Sequence, residues 1–126
     1  MKRHPSLDST GPVAHLTTGE GAGPLWGLAS DDLNATLLAW AAGDGPPEHV
    51  NEERDVLLVV VEGSARLDLD GESFQLVQAD AVLLPKGARR RVVAGLDGVR
   101  YLSVHLRRGG LAIAGASTTG VGGSPP

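Results

Sequence analysis

The sequence predicts an all-β domain, one small barrel or sandwich, on three observations. Short segments rich in Leu, Val and Ala recur at close intervals with turn residues between them, the pattern of a many-stranded fold. In residues 65–70 the apolar Ala65, Leu67 and Leu69 alternate with Arg66, Asp68 and Asp70, as a strand with one buried and one wet face requires. No stretch carries a helical hydrophobic period with caps. At 126 residues the chain has room for one core and therefore one domain.

Residues 1–23 mix Pro, Gly, Ser and Thr without a hydrophobic period and read as a loosely ordered N-terminal arm. Strands are expected over 33–41, 56–62, 65–70, 73–77, 81–85, 90–94 and 99–106, giving a barrel within 24–114. Glu62-Gly63-Ser64 and Asp70-Gly71 have tight-turn chemistry, which predicts a three-strand meander over 56–77. Residues 115–126, small and of low complexity, read as a flexible tail. Aromatic residues make up only 3% of the chain, so Leu, Val and Ala must fill the core around Trp26, Trp40, Phe74 and Tyr101.

The net charge of −4 gives no general attraction to nucleic acid or to an anionic membrane. The runs Arg89–Arg91 and Arg107-Arg108 then read as solvated faces or subunit salt bridges. With no cysteine, disulfides, thiolate metal sites and thiol nucleophiles are excluded together. No segment approaches the roughly 18 apolar residues of a membrane span, and a soluble cytoplasmic protein is the expectation.

Two spacings stand out. In the first, Gly43 is followed by His49 and Asn51, then by Val56 and Gly63; in the second, Ala79 precedes Pro85-Lys86-Gly87, Arg90 and Ala94. These resemble the two signature segments of the cupin superfamily, whose first runs glycine, five residues, His-x-His, three or four residues, Glu, six residues, glycine. Its second runs glycine, five residues, Pro-x-Gly, two residues, His, three residues, Asn. The resemblance covers about residues 33–106 and implies a cupin-type double-stranded β-helix, a jelly-roll barrel with the two segments facing each other across its mouth. It also implies a homodimer formed by strand exchange or sheet packing.

The resemblance further implies a metal held by two histidines, a glutamate and a third histidine, at positions occupied here by His49, Asn51, Val56 and Arg90. One ligand of four is present. Valine has no lone pair to offer, and arginine has five donors and no acceptor. Two unit charges about 4 Å apart at an effective dielectric near 20 interact by roughly 4 kcal/mol, so a divalent ion beside Arg90 faces about twice that in repulsion. No metal is favoured. A divalent transition metal has one route, the set His49, Asp55 and His105, if Asp55 takes the place of Val56 and a bulge before Gly63 compensates.

By strand parity Arg90 and Val92 share one face and Arg89 and Arg91 the other; the cupin register turns Arg90 inward. Its charge then needs a partner, either Glu48, Glu52, Glu53 or Asp55 or an anionic ligand. Asn51 and Tyr101 are candidate ligand-binding residues, and His49 is the candidate proton carrier. Tyr101, Ser103 and His105 share a face, while His4 and His15 fall in the arm and Trp40 reads as core or rim. Three functions stay open: a metal-free barrel binding a small polar or anionic molecule with isomerase- or cyclase-type chemistry, a metal-dependent oxygenase or isomerase, and a non-catalytic binding or dimerisation module.

Overall fold

The computed structural model of the chain describes residues 12–50 and 54–107, with His49 described by its backbone alone. It contains seven strands: β1 (Gly23–Ala29), β2 (Leu33–Trp40), β3 (His49–Val50), β4 (Val56–Leu69), β5 (Glu72–Val77), β6 (Ala81–Leu84) and β7 (Arg89–Leu106). All pairings are antiparallel, in the order β1-β2-β7-β4-β5, with β3 on β7 and β6 on β4. Among the described residues there is no helix, and hence none long and apolar enough to cross a membrane.

The architecture follows from two long strands that each serve two half-sheets. Residues 57–63 of β4 pair with 99–104 of β7, and with β1, β2 and β6 they make one half. Residues 65–69 of β4 pair with 90–94 of β7, and with β3 and β5 they make the other. The halves close on one core in which Val56, Leu58 and Val60 from the first meet Ala65, Leu67, Val92 and Ala94 from the second.

The predicted three-strand meander is corrected here. Residues 56–69 form one strand, because Gly63 bends a continuous strand instead of reversing it. The pairing register shifts on either side of it, at Val60/Glu62 and at Gly63/Ala65. Gly63 has φ +80°, and a Cβ there would collide with the carbonyl oxygen of Gly98 on β7. Glycine with positive φ serves a bulge as readily as a hairpin turn, so the residue type alone does not separate the two. In the same way 90–94 and 99–106 join into the single strand β7. Asp70-Gly71 does turn the chain, from β4 into β5.

Strand β1 was not foreseen, and it pairs along β2 with a bulge between Pro24 and Trp26. Before it, residues 12–22 lie against the outer side of the first half. There Arg100 Nη1 donates to the carbonyl of Thr18 at 2.8 Å and Nη2 to that of Gly19 at 3.0 Å. Residues 1–11 and 108–126, including His4 and the tail 115–126, lie outside the described residues.

Candidate functional site

The barrel mouth is made by the two motif segments, which the chain brings side by side. Asp44 and Ala94 are tied by the Ala94 N–H to the Asp44 carbonyl at 2.8 Å, and the Gly43 N–H donates to the Ala94 carbonyl at 2.9 Å. Gly45 passes so close to β7 that a Cβ would collide with the Val92 carbonyl oxygen. Further on, His49 stands opposite Arg90 and Val50 opposite Arg89 in the β3–β7 ladder. The second segment enters β7 through the turn at Pro85–Ala88, closed by the Ala88 N–H on the Pro85 carbonyl at 3.1 Å.

Under this mouth lies a cavity of about 130 Å³. Its walls are Leu38, Val56, Leu58, Leu84 and Val92 with Pro46 and Pro47, and its inward polar side chains are Arg90, Tyr101 and Ser103, with the exposed Arg91 also in the lining. Arg90 is half-buried between two exposed arginines, the outcome of strand alternation. Burial pulls its guanidinium below the ordinary arginine value, and the neighbouring Tyr101 pushes it back up. An arginine so placed stays cationic at neutral pH. Tyr101 is buried and accepts a hydrogen bond from Trp40 Nε1 at 3.2 Å. Burial raises its phenol above the ordinary tyrosine value, against the lowering effects of the Trp40 bond and the Arg90 charge.

The described residues do not fit a metal ion at the position the cupin resemblance implies. Val56, the residue at the glutamate position, points its methyl groups into the cavity and is 2% exposed, and Arg90 brings only donors. Asp55 is exposed, and its Oδ1 accepts the Lys86 N–H at 2.9 Å, across the loop onto the second motif. A bulge does precede Gly63, but it is Val56 that faces inward. His105 shares the inner face with Ser103 and Tyr101, where Nε2 lies 3.5 Å from Asn34 Nδ2 and Nδ1 lies 3.0 Å from the Leu106 carbonyl. Among the described residues no three His, Asp or Glu side chains are grouped to hold a metal.

Of the residues singled out from sequence, the structure brings Arg90 and Tyr101 to one cavity and puts the His49 backbone beside Arg90. The His49 side chain, and Asn51, Glu52 and Glu53, lie outside the described residues. Sequence reasoning missed Ser103 as a lining residue, Pro46 and Pro47 as a wall, and Trp40 as the partner of Tyr101. The Trp40–Tyr101 contact joins residues 61 apart, and only the β2–β7 register, which sets Leu38 against Tyr101 and Trp40 against Val99, could have disclosed it.

No protein-family model and no curated protein matches the chain. Solved structures do. KdgF from Halomonas sp. is 24% identical with a TM-score of 0.61, over 68% of this chain and 76% of that one. An RmlC-like cupin from Shewanella frigidimarina is 20% identical with a TM-score of 0.61, over 68% and 78%. The conserved SPY1581 protein of unknown function from Streptococcus pyogenes is 18% identical with a TM-score of 0.64, over 85% and 96%. At these identities the likeness concerns the fold, and with the two facing motif segments it identifies this chain as a single-domain β-barrel with the cupin fold.

Proposed function

We propose that the barrel binds a small polar or anionic organic molecule without a metal, oriented by Arg90 and Asn51. The observation that carries this is the cavity lining, which sets the Arg90 guanidinium, the Tyr101 phenol and the Ser103 hydroxyl in an otherwise aliphatic pocket. A cavity near 150 Å³ accommodates a molecule of about benzene size, so the ligand has roughly six or seven heavy atoms. His49, beside Arg90 in the ladder, is the residue assigned to proton transfer, which would make the barrel an isomerase- or cyclase-type catalyst. The metal-dependent alternative has weaker support, since Asp55 is engaged by the Lys86 N–H. The test is a calorimetric titration with short monocarboxylates. Binding that falls about tenfold or more in Arg90→Gln is expected, as for loss of a charge-assisted bond; equal affinity in Arg90→Gln, or none in the wild type, removes the reading.

We also infer that a second copy of the chain covers the outer side of the first half-sheet. There Leu83, Leu57, Val104, Ala35 and Leu28 form one cross-strand row and Ala81, Val59, Leu102, Leu37 and Trp26 the next, with no charge in either. Residues 12–22 lie over the Trp26 end, while Leu57 and Leu83 stay 41% and 57% exposed. With strands about 4.8 Å apart and alternate residues about 6.8 Å apart, five strands by two rows span roughly 24 by 14 Å, and with the Trp26 end already covered two copies bury on the order of 500 Å² plus their rims. That lies below the roughly 1,000 Å² at which specific interfaces begin, so the association expected is weak and concentration-dependent.

A further inference from the structure

The polar end of the cavity contains a donor whose direction is determined by its neighbour. An indole N–H can only donate, so at the Trp40 Nε1 to Tyr101 Oη contact of 3.2 Å the phenol oxygen is the acceptor. The phenol's own proton must then be directed elsewhere. Tyr101 is 4% exposed, and among the described residues no acceptor is bonded to its O–H. A buried donor left without an acceptor is costly, which makes it a place where a ligand gains. Beside it in the same lining stand Arg90, which also only donates, and the Ser103 hydroxyl.

We propose that Trp40 locks Tyr101 as a donor, so that Tyr101 and Arg90 form a two-donor clamp that selects a carboxylate over its neutral isosteres. One carboxylate oxygen accepts from the guanidinium and the other from the phenol; the body of the molecule lies against Leu38, Val56, Leu58, Leu84 and Val92. The ligand class is a monocarboxylate with a compact apolar body, held as the anion. This rests on the anion-binding reading above and narrows it. An amide in the same place would turn an N–H₂ toward a donor, and an alcohol would offer both donors a single uncharged oxygen in place of two anionic ones. Burial keeps the phenol protonated, and so donating, across the neutral range. Tyr101 is the binding group and Trp40 a positioning residue, since the indole contacts the phenol.

The test uses the full chain, with 3-methylbutanoate and 3-methylbutanamide as probes, followed by calorimetry. The acid is expected to bind at least about tenfold tighter than the amide, and Tyr101→Phe to weaken the acid roughly tenfold to hundredfold while leaving the amide almost unchanged. Trp40→Phe weakens the acid less than Tyr101→Phe does. Tyr101 is the only tyrosine in the chain, so its ionisation is read directly from the phenolate absorbance. In the free protein it occurs above the usual value near 10, and Trp40→Phe moves it higher still, because the indole bond is one of the two groups that lower it. A merely structural role for Trp40 would not produce that rise. An acid that binds through Arg90 with equal affinity to wild type and Tyr101→Phe overturns the clamp and leaves the anion site standing. No binding of the acid to the wild type removes both, and an unshifted phenol in Trp40→Phe removes the lock.

Discussion

The two half-sheets use strand alternation in opposite senses. In the second half, around residues 65–69 and 90–94, Ala65, Leu67, Val92 and Ala94 face the core, while Arg66, Asp68, Arg89 and Arg91 face solvent, with Arg66 and Asp68 paired at 3.3 Å. In the first half the order is turned over. The inner face carries Asn34, Thr36, Ser103 and His105 toward its open end, and the outer face carries Leu33, Ala35, Leu37, Leu102, Val104 and Leu106. A half-sheet whose inner face turns polar at its open end and whose outer face is apolar is suited to holding a ligand in the barrel and to being covered from outside. The ordinary half supplies stability and one inward charge, Arg90.

The sharpest break of that comparison is between two inner residues. Leu67 is wholly buried, and Leu67→Ala should cost about 2–5 kcal/mol, a transfer loss plus a cavity that the close-packed second half cannot fill. Ser103→Ala, on the inner face of the first half, should change stability by less than about 0.5 kcal/mol while altering ligand affinity. Denaturant unfolding of both variants measures the contrast; a Ser103→Ala loss as large as that of Leu67→Ala would mean that the polar inner face is structural.

A second comparison sets the two outer faces against each other. Leu83→Glu places a charge in the apolar row of the first half and should weaken self-association at least about tenfold, since a charge buried without a partner is costly. Arg66→Glu, on the outer face of the second half, should leave association unchanged. Sedimentation velocity over a concentration series reads both. A wild type that stays monomeric throughout, or a Leu83→Glu variant that associates as before, removes the dimer reading.

How much of this was legible in the sequence depends on how far apart in the chain the decisive residues lie. The alternation of Ala65, Leu67 and Leu69 and the inward parity of Arg90 are local, and both are where the sequence predicts them. The all-β class and the facing motif segments followed from spacing and resemblance. Gly63 was misread because a bulge and a hairpin ask the same conformation of glycine, and β1 was missed because Gly23, Pro24 and Gly27 interrupt its pattern. The Trp40–Tyr101 bond and the Asn34–His105 contact join strands 61 and 71 residues apart, and they depend on which strands pair and in which register. The inverted half could have been suspected from residues 99–106, where Leu102, Val104 and Leu106 alternate with Tyr101, Ser103 and His105, but periodicity does not say which set faces inward.

The smallest expected effect lies where the chain crosses from one half to the other, between β5 and β6. Ala79 sits there with φ +74°, held by its N–H on the Val60 carbonyl at 2.8 Å, in the place where the resembling motif has glycine. A left-handed conformation costs an L-residue about 1–2 kcal/mol, and a glycine in its place loses roughly 0.4–1 kcal/mol through the greater freedom of the unfolded chain. The difference favours Ala79→Gly by about 0.5–1 kcal/mol, a rise in Tm of a few degrees by calorimetry. Because the strain is local, neither ligand affinity nor self-association should change with it. A lower Tm would show that the Ala79 methyl group packs between the halves and that its contacts there outweigh the backbone strain.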